Sequence, residues 1–119
     1  MTIQRFHTNE RMSQIVAHDD TVYIAGQVAW QNRGGSITDQ ANEILSVIEK
    51  YLDEAGSDKE HMLSVSVWLS DAASQLEEFN QVWDKWIPEG HAPTRACVQS
   101  TLVAPDFHVE VAVTAAKKA

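Results

Sequence analysis

From Leu63 to Ser70 the chain alternates: Leu63, Val65, Val67 and Leu69 are apolar, and Ser64, Ser66, Trp68 and Ser70 stand between them. A period of two sends successive side chains to opposite sides of an extended backbone, so this segment predicts a β-strand with one buried face. Such a strand cannot stand alone. It needs neighbours in a sheet and a second layer over its apolar side.

Two segments of helical period supply that layer. Between Thr38 and Ala55 the residues Ala41, Ile44, Leu45, Ile48, Leu52 and Ala55 recur at spacings of three and four, and Gly56 follows as a terminator. Ser74-Gln75-Leu76-Glu77 reads as a capping box, after which Leu76, Phe79, Val82, Trp83 and Trp86 trace an apolar stripe up to Pro88. This predicts a second helix from about Ser74 to Ile87, with Trp83 and Trp86 in the core. The β-branched and aromatic run Thr21 to Trp30 predicts a strand that ends at the turn residues Asn32-Arg33-Gly34-Gly35. Two further strand-like runs, Arg95 to Val103 and Phe107 to Thr114, flank Ala104-Pro105-Asp106 and read as a hairpin. The order of elements predicts an α+β fold with both helices on one face of an antiparallel or mixed sheet. The other face is left for a third layer or a second subunit.

The 119 residues fit a single domain over 1–119, and a domain of that size buries roughly two-thirds of its unfolded surface. A net charge of -8 opposes binding to a phosphate backbone, and Lys117-Lys118 is the one basic pair. Neither nucleic acid nor membrane is therefore an expected partner: no run approaches the roughly 18 apolar residues of a span, and the start lacks the apolar stretch of a leader. Cys97 is the single cysteine, which fits a cytoplasmic protein without disulfides. The five histidines show no ligand spacing, so a metal site is not expected, and the chain has neither a phosphate-binding glycine loop nor a nucleophile elbow.

Alternation also sorts the candidate chemical groups. Arg95, Cys97, Gln99 and Thr101 share one side of their strand, and Glu110 lies with His108, Ala112 and Thr114 on the less apolar side of the next. A guanidinium clamps a carboxylate well, because its planar fork donates two parallel hydrogen bonds and keeps its charge. An arginine opening a strand is nevertheless more often solvated or ion-paired than functional. Cys97, between Ala96 and Val98, reads as a small packed residue with no activating partner.

Ala92-Pro93-Thr94-Arg95-Ala96-Cys97-Val98, followed by His108-Val109-Glu110-Val111, resembles the C-terminal signature of the RidA/YjgF family of imine deaminases. Ser13-Gln14, Tyr23-Ile24-Ala25-Gly26-Gln27, Ala55-Gly56 and Phe79-Asn80-Gln81-Val82-Trp83 extend the resemblance along nearly the whole chain. It implies a chorismate-mutase-like fold, assembled as a homotrimer with ligand sites between subunits. The implied activity is that of a 2-iminobutanoate/2-iminopropanoate deaminase-like hydrolase. Such a protein converts reactive 2-imino or enamino acids, made by pyridoxal-phosphate or flavin enzymes, to 2-keto acids and ammonia without metal or cofactor.

By position, the resemblance gives Arg95 the substrate carboxylate, the backbone of Gly26 and Cys97 the substrate head, and Glu110 the attacking water. Asn80 matches a position near the site, but as a helix residue it could equally face solvent or a neighbouring subunit. Met12 and Ala25 depart from the Tyr and the Ser or Thr common in the family's deaminases, so an altered substrate range is expected. A non-catalytic module that binds a 2-keto acid in the same cleft is the alternative. A ribonuclease or translation inhibitor is a third reading, opposed by the acidic balance. In a simple hairpin Glu110 would sit opposite Thr101 or Ser100, on the order of 16 to 20 Å along the strand from Arg95. Either a bulge offsets the strands or a neighbouring chain closes the gap, and the resemblance, which places the cleft between subunits, favours the second.

Overall fold

The computed structural model describes residues 2–119. The alternating run forms strand β4 (Met62–Leu69), with Val65, Val67 and Leu69 at 1% exposure or less. Leu63 is the exception, at 51%. The pairing slips by one residue between Met62 and Ser64, which turns Met62 into the core and Leu63 out of it.

The other strands are β1 (Ile3–Thr8), β2 (Ser13–His18), β3 (Thr21–Val28), β5 (Thr94–Gln99) and β6 (Val109–Ala116). The helices are α1 (Ile37–Glu54) and α2 (Ala72–Trp86). All six strands make one mixed sheet in the order β1-β2-β3-β6-β4-β5, in which only the β4–β5 pair is parallel. Both helices pack on one face, α1 over β3 and β6 and α2 over β4, as the order of elements predicts. Ile44, Leu45, Ile48, Leu52 and Phe79 meet Ile15, Val22, Val65, Val67, Val111 and Val113 there. No helix among the described residues is long and apolar enough to cross a membrane.

Helix α1 starts where Ser36 Oγ accepts the Asp39 N–H at 3.1 Å, and it stops at Gly56, whose φ of 82° suits a residue without a Cβ. Helix α2 begins two residues before the expected capping box. Ser74 Oγ donates to the Asp71 carboxylate at 2.9 Å instead of capping, and the Ala72 N–H is met by Gln99 Oε1 at 2.9 Å. Trp83 is buried as expected, and Trp86 is partly buried with its indole N–H on Glu49.

The expected C-terminal hairpin does not form. Helix α2 is a crossover that lays β5 parallel to β4 at the edge of the sheet, and β6 enters between β3 and β4. Val109, Val111, Val113 and Ala115 are all at 3% exposure or less, and a strand that apolar gains most from a central place with both edges paired. Residues 100–108 pass across the end of β4 to reach it. They are anchored by Gln40, fully buried on α1, whose amide donates to the Asp106 carbonyl at 3.0 Å and accepts the His108 N–H at 2.8 Å.

Candidate functional site

Strand β6 turns its valines to the helices and Glu110 to the open face of the sheet. Opposite it, the β3–β6 register shifts by one residue between Ile24 and Gln27, a bulge at Ala25-Gly26. The bulge brings the Gly26 backbone against Glu110 so closely that a Cβ built at Gly26 would fall on the Glu110 carboxylate oxygen. It also turns Gln27 inward, where its amide donates to Gln14 Oε1 at 2.8 Å and to the Ala25 carbonyl at 3.0 Å. Glu110 and Gly26 open onto a cavity of about 240 Å³ that Gln14, Met12, Trp30 and Val103 also line. Burial pushes the Glu110 carboxyl above its ordinary value, as expected for an anion half withdrawn from water.

Arg95 belongs to the other side. It pairs with Val65, which pairs with Val113, and residues in register share a face, so Arg95 stands on the helix side of the edge strand. Its guanidinium carbon lies 5.3 Å from the centroid of the Trp83 ring and 5.9 Å from that of Phe79, an aromatic platform from α2. Arg95 makes no ion pair among the described residues. Cys97 follows on the same face beside Val67 and is half-buried. Burial raises its thiol pKa and the nearby Arg95 opposes this only in part, so the group is a packed thiol rather than a thiolate nucleophile. Asn80 sits on α2 with Oδ1 buried and unpartnered among the described residues, facing a groove shared with Ala73 and Leu76.

Apart from Asn80 on α2, the expected site residues thus fall into two groups. Gly26 and Glu110 are together on the open face, and Arg95 and Cys97 are together on the helix face. The row that contains Glu110 runs through Trp68 to Val98, not to Thr101 or Ser100 as a hairpin would have it. Arg95 is three residues along and two strands across, about 14 Å away, with its side chain on the opposite side of the sheet. Within one chain the two cannot touch one small molecule. The sequence singles out Met12 through the resemblance, but it gives no signal for Trp30 and Val103 beside it, because the three come from distant segments with no shared spacing.

A family model described as Endoribonuclease L-PSP matches residues 2–117. The RutC family protein YoaB of Escherichia coli is 34% identical over 116 residues, covering 98% of this chain and 99% of that protein. Among solved structures, a member of the YjgF protein family from Neisseria meningitidis superposes with a TM-score of 0.95 at 34% identity, covering 100% of this chain and 98% of the other. A protein from Pseudomonas aeruginosa superposes with a TM-score of 0.93 at 43% identity, covering 98% and 100%.

Proposed function

Because the chain belongs to the Endoribonuclease L-PSP family, the RidA/YjgF family that its C-terminal residues resemble, we propose that it hydrolyses reactive 2-imino or enamino acids to 2-keto acids and ammonia. It does so as a single cytoplasmic domain assembled into a homotrimer, without cofactor. The observation that carries this reading is the division of the candidate residues: each chain offers on one face of its sheet an arginine with no ion pair among the described residues, and on the other a half-buried glutamate. A closed ring of copies can bring the two together between subunits, and it also covers the open face.

In that site Arg95 takes the substrate carboxylate through two parallel hydrogen bonds, and backbone groups of Cys97 and Gly26 hold the substrate head. Glu110 accepts a proton from water as its oxygen bonds to the imine carbon. Returned to the nitrogen, that proton completes a carbinolamine; Glu110 then takes the hydroxyl proton and delivers it to the same nitrogen as the carbonyl forms and the carbon–nitrogen bond breaks, so ammonia leaves with the 2-keto acid. A carboxyl with a raised pKa suits this exchange, because it is a better proton acceptor than an ordinary glutamate.

The test is release of ammonia and keto acid from freshly generated imino acids of several side-chain types. Acceleration over the spontaneous rate is expected, and it should vanish in Arg95→Ala while the fold survives. No acceleration for any imine would overturn the proposal. A second reading has one observation in its favour: Met12 and Ala25 remove a phenol and a hydroxyl expected near the ligand, which suits a protein that binds a 2-keto acid in this cleft without turnover. Binding without turnover would select it. Cleavage of RNA is disfavoured by the formal charge of -8.

A further inference from the structure

Three large apolar side chains that the fold leaves exposed, Met12 at 41%, Trp30 at 64% and Val103 at 81%, meet at one place, the cavity beside Glu110 and Gly26. Exposed apolar residues scattered singly need no explanation. Convergence of three on a concave site whose polar groups are one partly buried carboxylate and the amides of Gln14 and Gln27 is the composition of a ligand pocket: an apolar wall with a few polar groups.

Their positions are fixed from behind. Trp30 meets the buried ring of Phe107 edge to face at 5.0 Å, and the Arg33 guanidinium lies 5.5 Å from the Trp30 ring while it grips Asp106 through two hydrogen bonds of 2.8 and 3.0 Å. Val103 rides on the 100–108 segment that Gln40 anchors. Met12 sits in a turn closed by Asn9 Oδ1, which accepts the Arg11 and Met12 N–H groups at 2.8 and 2.9 Å.

We infer that this wall receives the substrate's side chain, so that the preferred substrates are those with a large apolar side chain, of leucine, methionine or phenylalanine size. The class of imino and keto acids rests on the proposed function, and the preference for bulk rests on the wall. A thioether, an indole and two methyls offer contact area to such a group. They offer no countercharge to an acidic or basic side chain, and they leave a methyl side chain with most of the cavity still wet.

The experiment measures binding of 2-keto acids to the assembled protein by calorimetry, with turnover of the matching imines followed separately. The keto acid of leucine should bind at least ~10-fold more tightly than pyruvate, since even one methylene buried in an apolar pocket counts for about that much and the isobutyl group adds more than one. Trp30→Ala and Val103→Asp should each bring the ratio towards one with the mass of the assembly unchanged. Equal binding, tighter binding of pyruvate, no binding of either, or a ratio that survives both substitutions would overturn the inference. If the ratio is found and no imine is turned over, the deaminase reading fails and the assignment of the wall stands.

Discussion

The carboxylate of Glu110 and the missing side chain of Gly26 occupy the same space, so one methyl group tests the site. In Gly26→Ala the far end of Glu110 must move, and because that end is flexible the fold should tolerate it. Thermal unfolding is expected to stay close to wild type while imine turnover falls on the order of 10²-fold, the penalty for a misplaced reacting group. The pH dependence follows from the raised carboxyl. If ionised Glu110 is required, turnover is lost as pH falls through a value above that of an ordinary glutamate, and Glu110→Gln should abolish that limb along with the activity. The sign for stability is the reverse of the usual carboxylate. A raised folded-state pKa favours the protonated form, so stability is greatest below the unfolded value and declines as pH rises through the folded one. Glu110→Gln should therefore gain on wild type between acid and neutral pH in denaturant titrations. Asp58, held low chiefly by His61, Glu78, held low by Thr38, and Asp106, held low chiefly by Arg33, act in the opposite sense and weaken the fold as pH falls through their lowered values.

At the scale of elements, the connection into β6 depends on one amide. Gln40→Leu keeps the volume and removes both partners of the 100–108 segment, leaving the His108 N–H and the Asp106 carbonyl buried without them. A loss of about 1–3 kcal/mol in urea unfolding with an unchanged m value is expected. Gly56→Ala should lose about 1 kcal/mol from a Cβ placed at φ 82°. The elements legible in the sequence were those with a sustained period: α1 from Ala41 to Leu52, and β4 from Val65 to Leu69. Alternation tells which face a residue takes, and it placed Arg95 with Cys97 and Glu110 apart from the valines. It says nothing about which strand lies beside which, so β5 and β6 were expected as a hairpin although β4 runs between them. The β1–β2 pair went unread because β1 is exposed along its length apart from Phe6 and carries no apolar period. The start of α2 was misplaced because Ser74 spends its hydroxyl on Asp71.

For the whole molecule, a sheet with both helices on one side and Tyr23, Leu63 and Val98 about half exposed fits burial against further copies. Light scattering at micromolar concentration is expected to give three times the chain mass of 13.3 kDa, and a monomer would sink the assembly. Mixing tests the site directly. When Arg95→Ala and Glu110→Ala proteins, each inactive, are dissociated and reassembled together in equal amounts, about a quarter of the sites in a ring should combine an intact arginine with an intact glutamate from the next chain. No recovery despite proven exchange would mean that Arg95 and Glu110 do not serve one shared site. Under the proposed function, the placement of Arg95 and Glu110 on opposite sides of one sheet also ties output to dosage. A lone chain, however well folded, would then hold two halves of different sites and no whole one, so activity per milligram should fall on dilution below the assembly threshold and return on concentration. In a cell, halving the supply of this protein near that threshold would remove more than half of the chemistry.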